Sequence, residues 1–127
     1  MAEDELIITA DTIVCSEGKV LGKPVDEADA KVMLQQLAGR THQVVTGVAI
    51  VTKAKQMDFA VTSDVTFAPL TDQEIDYYVA HYSPMDKAGA YGIQEWIGLV
   101  AVEELRGSFF NVMGLPVQRL YSILKDF

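Results

Sequence analysis

Residues Leu6 to Cys15 form an almost continuous apolar run rich in Ile and Val, which predicts a strand buried on both faces. Glu17-Gly18-Lys19 predicts a turn into Val20-Leu21, and Gly22-Lys23-Pro24 follows. The period then changes. Ala30, Met33, Leu34 and Leu37 share one face at helical spacing, with Asp26 placed as N-cap and Gly39 as terminator. Alternation takes over next: Val44, Thr46, Val48, Ile50 and Thr52 share a strand face, as do Phe59, Val61, Ser63, Val65 and Phe67. Those runs predict a long hairpin turning near Lys53–Gln56. Thr71 and Glu74 have capping-box spacing ahead of a second helix, whose buried stripe is Ile75, Tyr78, Val79 and Tyr82. Ser83 to Gln94 reads as a loop punctuated by Pro84, Gly89 and Gly92, Leu99 to Leu105 as a strand, and Arg106-Gly107-Ser108 as a turn. Pro116 opens a last helix with Val117, Leu120, Tyr121 and Leu124 facing inward. The order of elements predicts one α/β domain over residues 1–127, a mixed sheet with flanking helices, and there is no internal repeat or linker.

Charge narrows the partners. Ten basic and 18 acidic side chains leave a net charge of −8, and the arginines, Arg40, Arg106 and Arg119, are scattered. Such a surface repels a nucleic-acid backbone, which argues against nucleic-acid binding. A small anionic ligand remains open if a few lysines converge or a divalent cation helps. No apolar run approaches the ~20 residues that span a bilayer, because Asp11, Thr46 and Glu103 break the longest ones, so no membrane partner is expected. The acidic opening Met1-Ala2-Glu3-Asp4-Glu5 lacks the basic start of a secretory signal, and the expected location is cytoplasmic. The single cysteine, Cys15, excludes an internal disulfide and a cysteine-based zinc site.

Asp11 is the sharpest anomaly, since an unpaired carboxylate removed from water costs several kcal/mol. Two readings follow: a buried Asp that caps a nearby loop through backbone N–H groups, or a general base or metal-associated carboxylate at a strand end. Gly22-Lys23-Pro24 points a cation from a stiffened turn, a pattern that also suits a plain solvated loop. Asp86-Lys87-Ala88-Gly89-Ala90-Tyr91-Gly92-Ile93-Gln94 supplies a cation, two glycines and an amide that both donates and accepts, but it has no Walker A or dinucleotide spacing. His42 and His81 lack paired-ligand spacing and read as solvated positions. Cys15 reads as a small core hydrophobe and Trp96 as core or interface. Asp26–Asp29, Asp72, Glu74, Asp76 and Glu103-Glu104 read as helix-start and surface charges.

Taken together, Ala10-Asp11-Thr12-Ile13-Val14, Thr41-His42-Gln43-Val44-Val45-Thr46-Gly47-Val48, Lys87 to Gln94 and Phe110-Asn111-Val112-Met113-Gly114-Leu115-Pro116 resemble, in order, the Maf family of nucleoside triphosphate pyrophosphatases. The resemblance runs from about Glu5 to the C-terminus. It implies a Maf/ITPase-like fold and hydrolysis of a nucleoside triphosphate to the monophosphate and pyrophosphate with a divalent cation, Mg²⁺ or Mn²⁺. Asp11 falls on the family's proton-acceptor position and is the one side chain it suggests for the metal. Thr12 and Gln94 fall on positions that set base preference and are similar to the branch acting on dTTP and UTP. Lys23 and Lys87 fall on phosphate-binding lysines, and relatives imply a homodimer. Glu95 stands where many relatives carry Gly and is read as tightening the local turn. The family's first strand and Ser-Pro-Arg-Arg motif have no counterpart in this sequence, so the expectation is an N-terminally truncated member. The face of Leu6–Cys15 that those elements would cover is then exposed, paired with another chain, or repacked. The alternative function is a non-catalytic remnant that binds nucleotide weakly or serves as an interaction module.

Overall fold

In the computed structural model, residues 5–127 are described; the acidic Met1–Asp4, which argued against a secretory signal, lies outside the described residues. The spine is the long hairpin β3 (Thr41–Thr52) and β4 (Gln56–Phe67). Ahead of it stand β1 (Leu6–Ser16), β2 (Lys19–Leu21) and α1 (Glu27–Leu37). After it come α2 (Asp72–Tyr82), 3₁₀ turns at Pro84–Asp86 and Ala88–Ala90, and α3 (Trp96–Val100). The chain ends with β5 (Val102–Arg106), α4 (Phe109–Met113) and α5 (Val117–Asp126). Five strands form one sheet in the order β2-β1-β3-β4-β5.

The α/β architecture agrees with the sequence, but the strand directions do not. Among the described residues every pairing is antiparallel, not mixed. β2 and β3 run the same way, as a strand–helix–strand crossover requires, yet β1 lies between them, so their parallel relation never becomes a pairing.

Helices are positioned by local signals. The Asp26 carboxylate accepts from Asp29 N at 2.7 Å to start α1. Thr71 and Glu74 close a capping box at α2: Glu74 N donates to Thr71 Oγ1 at 3.1 Å and Thr71 N donates to Glu74 Oε1 at 2.8 Å. Both helices lie on one face of the sheet, where Leu34, Leu37, Ile75, Tyr78 and Val79 pack on Val44, Val65 and Phe67. At the far end of the hairpin, α5 buries Leu120 against Val48 and Ile50, with Phe59, Ile123 and Leu124 beside them. The inward stripe of α5 is therefore Leu120, Ile123 and Leu124, while Val117 and Tyr121 are exposed, contrary to expectation. Tyr121 is 63% exposed and its ring lies 5.3 Å beneath Lys125 Nζ.

Two further expectations fail. Leu99 begins no strand: Trp96–Val100 is one helical turn that buries Ile97, and the strand starts at Val102. That turn is possible because residue 98 is Gly; a Cβ there would stand 1.7 Å from Ile93 O. β1 is not buried on both faces. Val14 and Ser16 are buried, but Leu6 is 44% exposed, Ile7 42% and Ile8 38%, and Thr9, Ala10 and Asp11 are exposed. β2 pairs with only Val14–Ser16, so among the described residues the outer edge from Leu6 to Ile13 has no neighbouring strand. No helix among the described residues is long and apolar enough to cross a membrane.

Candidate functional site

A cleft of about 250 Å³ opens at the covered end of β1. Asp11, Thr12 and Val14 of β1, Lys23 from the β2–α1 turn, Asp86, Lys87, Ala88, Tyr91, Gly92 and Gln94 from the loop after α2, and Val112 and Met113 of α4 border it. The loop is held from four sides. Gly89 N donates to Gly22 O at 3.1 Å, tying it to the turn that carries Lys23. Gly89 has φ +70, and a Cβ there would press within 3.0–3.1 Å of the Val14 side chain, so only glycine lets the loop lie on β1. From α2, the buried Tyr78 hydroxyl accepts from Gly92 N at 3.0 Å and donates to Glu95 Oε1 at 2.5 Å. Burial, then the bond to Glu95, raises the Tyr78 hydroxyl far above its ordinary range, so it stays protonated. Glu95 thus fastens the turn that presents Gln94.

The fourth hold is His42. It is fully buried on β3, not solvated, and its Nε2 lies 2.6 Å from Tyr91 Oη. Its ring meets Phe67 and Tyr91 edge to face. Burial lowers the imidazole to about 4, which keeps it neutral, and burial raises the Tyr91 hydroxyl. Among the described residues, His42 Nδ1 has no hydrogen-bond partner. The alternation that puts Val44 and Thr46 indoors also puts residue 42 there, a signal that outweighs the general habit of histidines.

Beneath the cleft runs a hydroxyl chain. Thr12 Oγ1 lies 2.8 Å from Thr46 Oγ1, which donates to Asn111 O at 3.0 Å. Asn111 is fully buried in α4; its Nδ2 donates to Val44 O, Val61 O and Ser63 Oγ at 3.0–3.2 Å. Nothing local marks Asn111 as a partner of Thr46, 65 positions away in the chain.

All five residues singled out for substrate chemistry, Asp11, Thr12, Lys23, Lys87 and Gln94, border this one cleft. Asp11 is exposed rather than buried, because it stands where β1 has lost β2 as neighbour; the desolvation cost that made it anomalous does not arise there. It also borders a shallower groove on the uncovered face, with Gly47, Ala49, Asp58 and Ala60. Lys23 and Gln94 are exposed, and Lys87 is half-buried with Nζ 3.9 Å from Asp86 Oδ1. Around the cleft two lysines face two aspartates, so its charged side chains cancel. Arg40 and Arg106 are paired elsewhere, with Glu17 and Glu104. Among the described residues no three His, Cys, Asp or Glu side chains converge as a metal cage.

The family model of Maf-like proteins matches residues 1–127, and the chain belongs to that family. The chain is 62% identical over 125 residues to the dTTP/UTP pyrophosphatase of Phocaeicola vulgatus, covering 98% of this chain and 65% of that relative. It is 62% identical over 123 residues to the dTTP/UTP pyrophosphatase of Bacteroides fragilis, covering 97% of this chain and 64% of the relative. The corresponding protein of Porphyromonas gingivalis is 58% identical over 127 residues, 100% of this chain and 64% of the relative. The chain therefore spans 64–65% of the length of these relatives.

Proposed function

We propose that the cleft is the substrate site of a cytoplasmic nucleoside triphosphate pyrophosphatase that cleaves dTTP and UTP to the monophosphate and pyrophosphate. The observation that carries this reading is the convergence of a carboxylate, two lysines, a hydroxyl and an amide on one cleft, in a chain similar to proteins named for that activity. Asp11 takes a proton from water, whose oxygen forms a bond to phosphorus on one side of the α–β bridge. The bridging P–O bond breaks and pyrophosphate departs. Lys23 and Lys87 lie against the phosphate oxygens, where their charge offsets what builds up in the transition state. Thr12 and Gln94 meet the edge of the pyrimidine.

The residues present fit a divalent cation. Mg²⁺ in triphosphate sites is shared between one or two carboxylates and the phosphates themselves, and Asp11 and Asp86 are the two carboxylates here. Bound there, Mg²⁺ or Mn²⁺ supplies the positive charge that two lysines lack. A homodimer belongs to the same reading, supported by the apolar edge of β1.

The test is release of pyrophosphate from dTTP, UTP, CTP and GTP with Mg²⁺ or Mn²⁺. Turnover of dTTP or UTP is expected to fall on the order of 10²-fold or more in Asp11→Asn; an undiminished rate refutes the base. One observation favours a second reading: among the described residues no arginine borders the cleft and its charged side chains cancel, which suits binding without hydrolysis. Calorimetric binding of nucleotide with no pyrophosphate released would establish it.

A further inference from the structure

Counting protons along the hydroxyl chain under the cleft fixes which way Thr12 faces chemically. Asn111 O is a carbonyl and only accepts; it takes Gly114 N–H at 3.0 Å and the Thr46 hydroxyl at 3.0 Å. Thr46 has one hydroxyl proton, and that proton is committed to Asn111. Reversing it would leave two buried oxygen lone pairs facing each other at 3.0 Å with no proton between them. In the 2.8 Å contact between the two threonines, Thr46 therefore accepts and Thr12 donates. Thr12 has then spent its proton too. Asn111 cannot swing away to release the chain, because three acceptors hold its amide and Ser108 Oγ accepts from its backbone N at 3.1 Å.

We infer that Thr46 and Asn111 are positioning residues that make Thr12 a pure acceptor toward the cleft, and so select a base with a ring N–H, uracil or thymine, over cytosine. This rests on the reading of the cleft as a pyrimidine nucleotide site. Uracil and thymine carry a proton on N3, whereas N3 of cytosine is a lone pair. An acceptor-only oxygen pairs with the first and opposes the second. Gln94 cannot make this choice alone: it is an exposed amide that presents its donor or its acceptor by turning over. Thr12 cannot turn over, because its partner is buried and fixed. Uracil and cytosine are of one size, so polarity and not fit is what the relay reads.

Equilibrium binding of UMP and CMP, measured by calorimetry on the protein and on Thr46→Val and Thr46→Ser, tests this. The unchanged protein should favour UMP by about tenfold or more, the effect of one satisfied against one opposed hydrogen bond. Thr46→Val keeps the shape but frees the Thr12 proton, and should bring the ratio close to one; Thr46→Ser keeps the acceptor and should preserve it. Equal binding of UMP and CMP by the unchanged protein, a ratio unmoved in Thr46→Val, or an equal loss in both variants overturns the inference. The first of these comparisons needs no variant to fold. A UMP preference that follows the relay without pyrophosphate release sinks the activity reading and leaves this one standing; pyrophosphate release with an unmoved ratio does the reverse. Failure to bind either nucleotide overturns both.

Discussion

The two halves of β1 have nearly the same composition and opposite surroundings. From Val14 to Ser16 the strand lies between β2 and β3, under the loop after α2, and Val14 carries that loop against its side chain. From Leu6 to Asp11 it has β3 on one side, and among the described residues no strand lies on the other. Isoleucine is as apolar at position 7 as valine is at 14, so hydropathy cannot explain the difference; what differs is whether another element arrives to cover the strand. Asp11 stands at the boundary, where a carboxylate can be held by a ladder and still meet solvent.

That contrast can be broken at both ends. Truncating the covered core, Leu34→Ala, should cost about 2–5 kcal/mol, whereas Ile7→Ala on the open half should stay within about 1 kcal/mol; urea unfolding of the two variants measures the gap. A Leu34→Ala cost no larger than that of Ile7→Ala would mean the covered end is not the stabilising one.

A smaller effect sharpens the comparison through pH. Unfolded His42 takes up a proton near pH 6.5, but in the covered core it does so only near pH 4. Between those values the unfolded chain binds more protons, so stability is full above about pH 6.5 and falls as pH drops toward 4, by up to about 3 kcal/mol. Unfolding free energies at pH 7.5 and 4.5 should show this slope, and His42→Asn should flatten it. Last, Gly89→Ala forces a side chain into a left-handed backbone against Val14, and should cost about 1–3 kcal/mol of stability, read as a lower urea midpoint. A neutral result there would mean the loop does not rest on β1.

What was legible in the chain follows the same divide. The hairpin was readable because period-two alternation is carried by each strand itself, and the α1 and α2 starts because a cap acts over three residues. The five cleft residues were legible as a set through the resemblance, not through their spacing. Burial of β1 was not, since coverage depends on elements distant in sequence. The segment from Ile97 to Val102 has no decisive period, and Gly98 tips it toward a turn only by meeting Ile93. His42 was masked by the usual behaviour of its type, and Asn111 by a contact that only the folded chain creates.

The unpaired margin of β1 has one more effect. Asp11 is the sole charged side chain between Leu6 and Ser16, in a stretch without proline or lysine. A bare, apolar ribbon of that length is a template on which further copies stack, and one negative charge near its middle makes successive strands repel. Asp11, which borders the cleft, therefore also acts as a gatekeeper against fibril-like growth, so that solubility and the proposed chemistry draw on a single position.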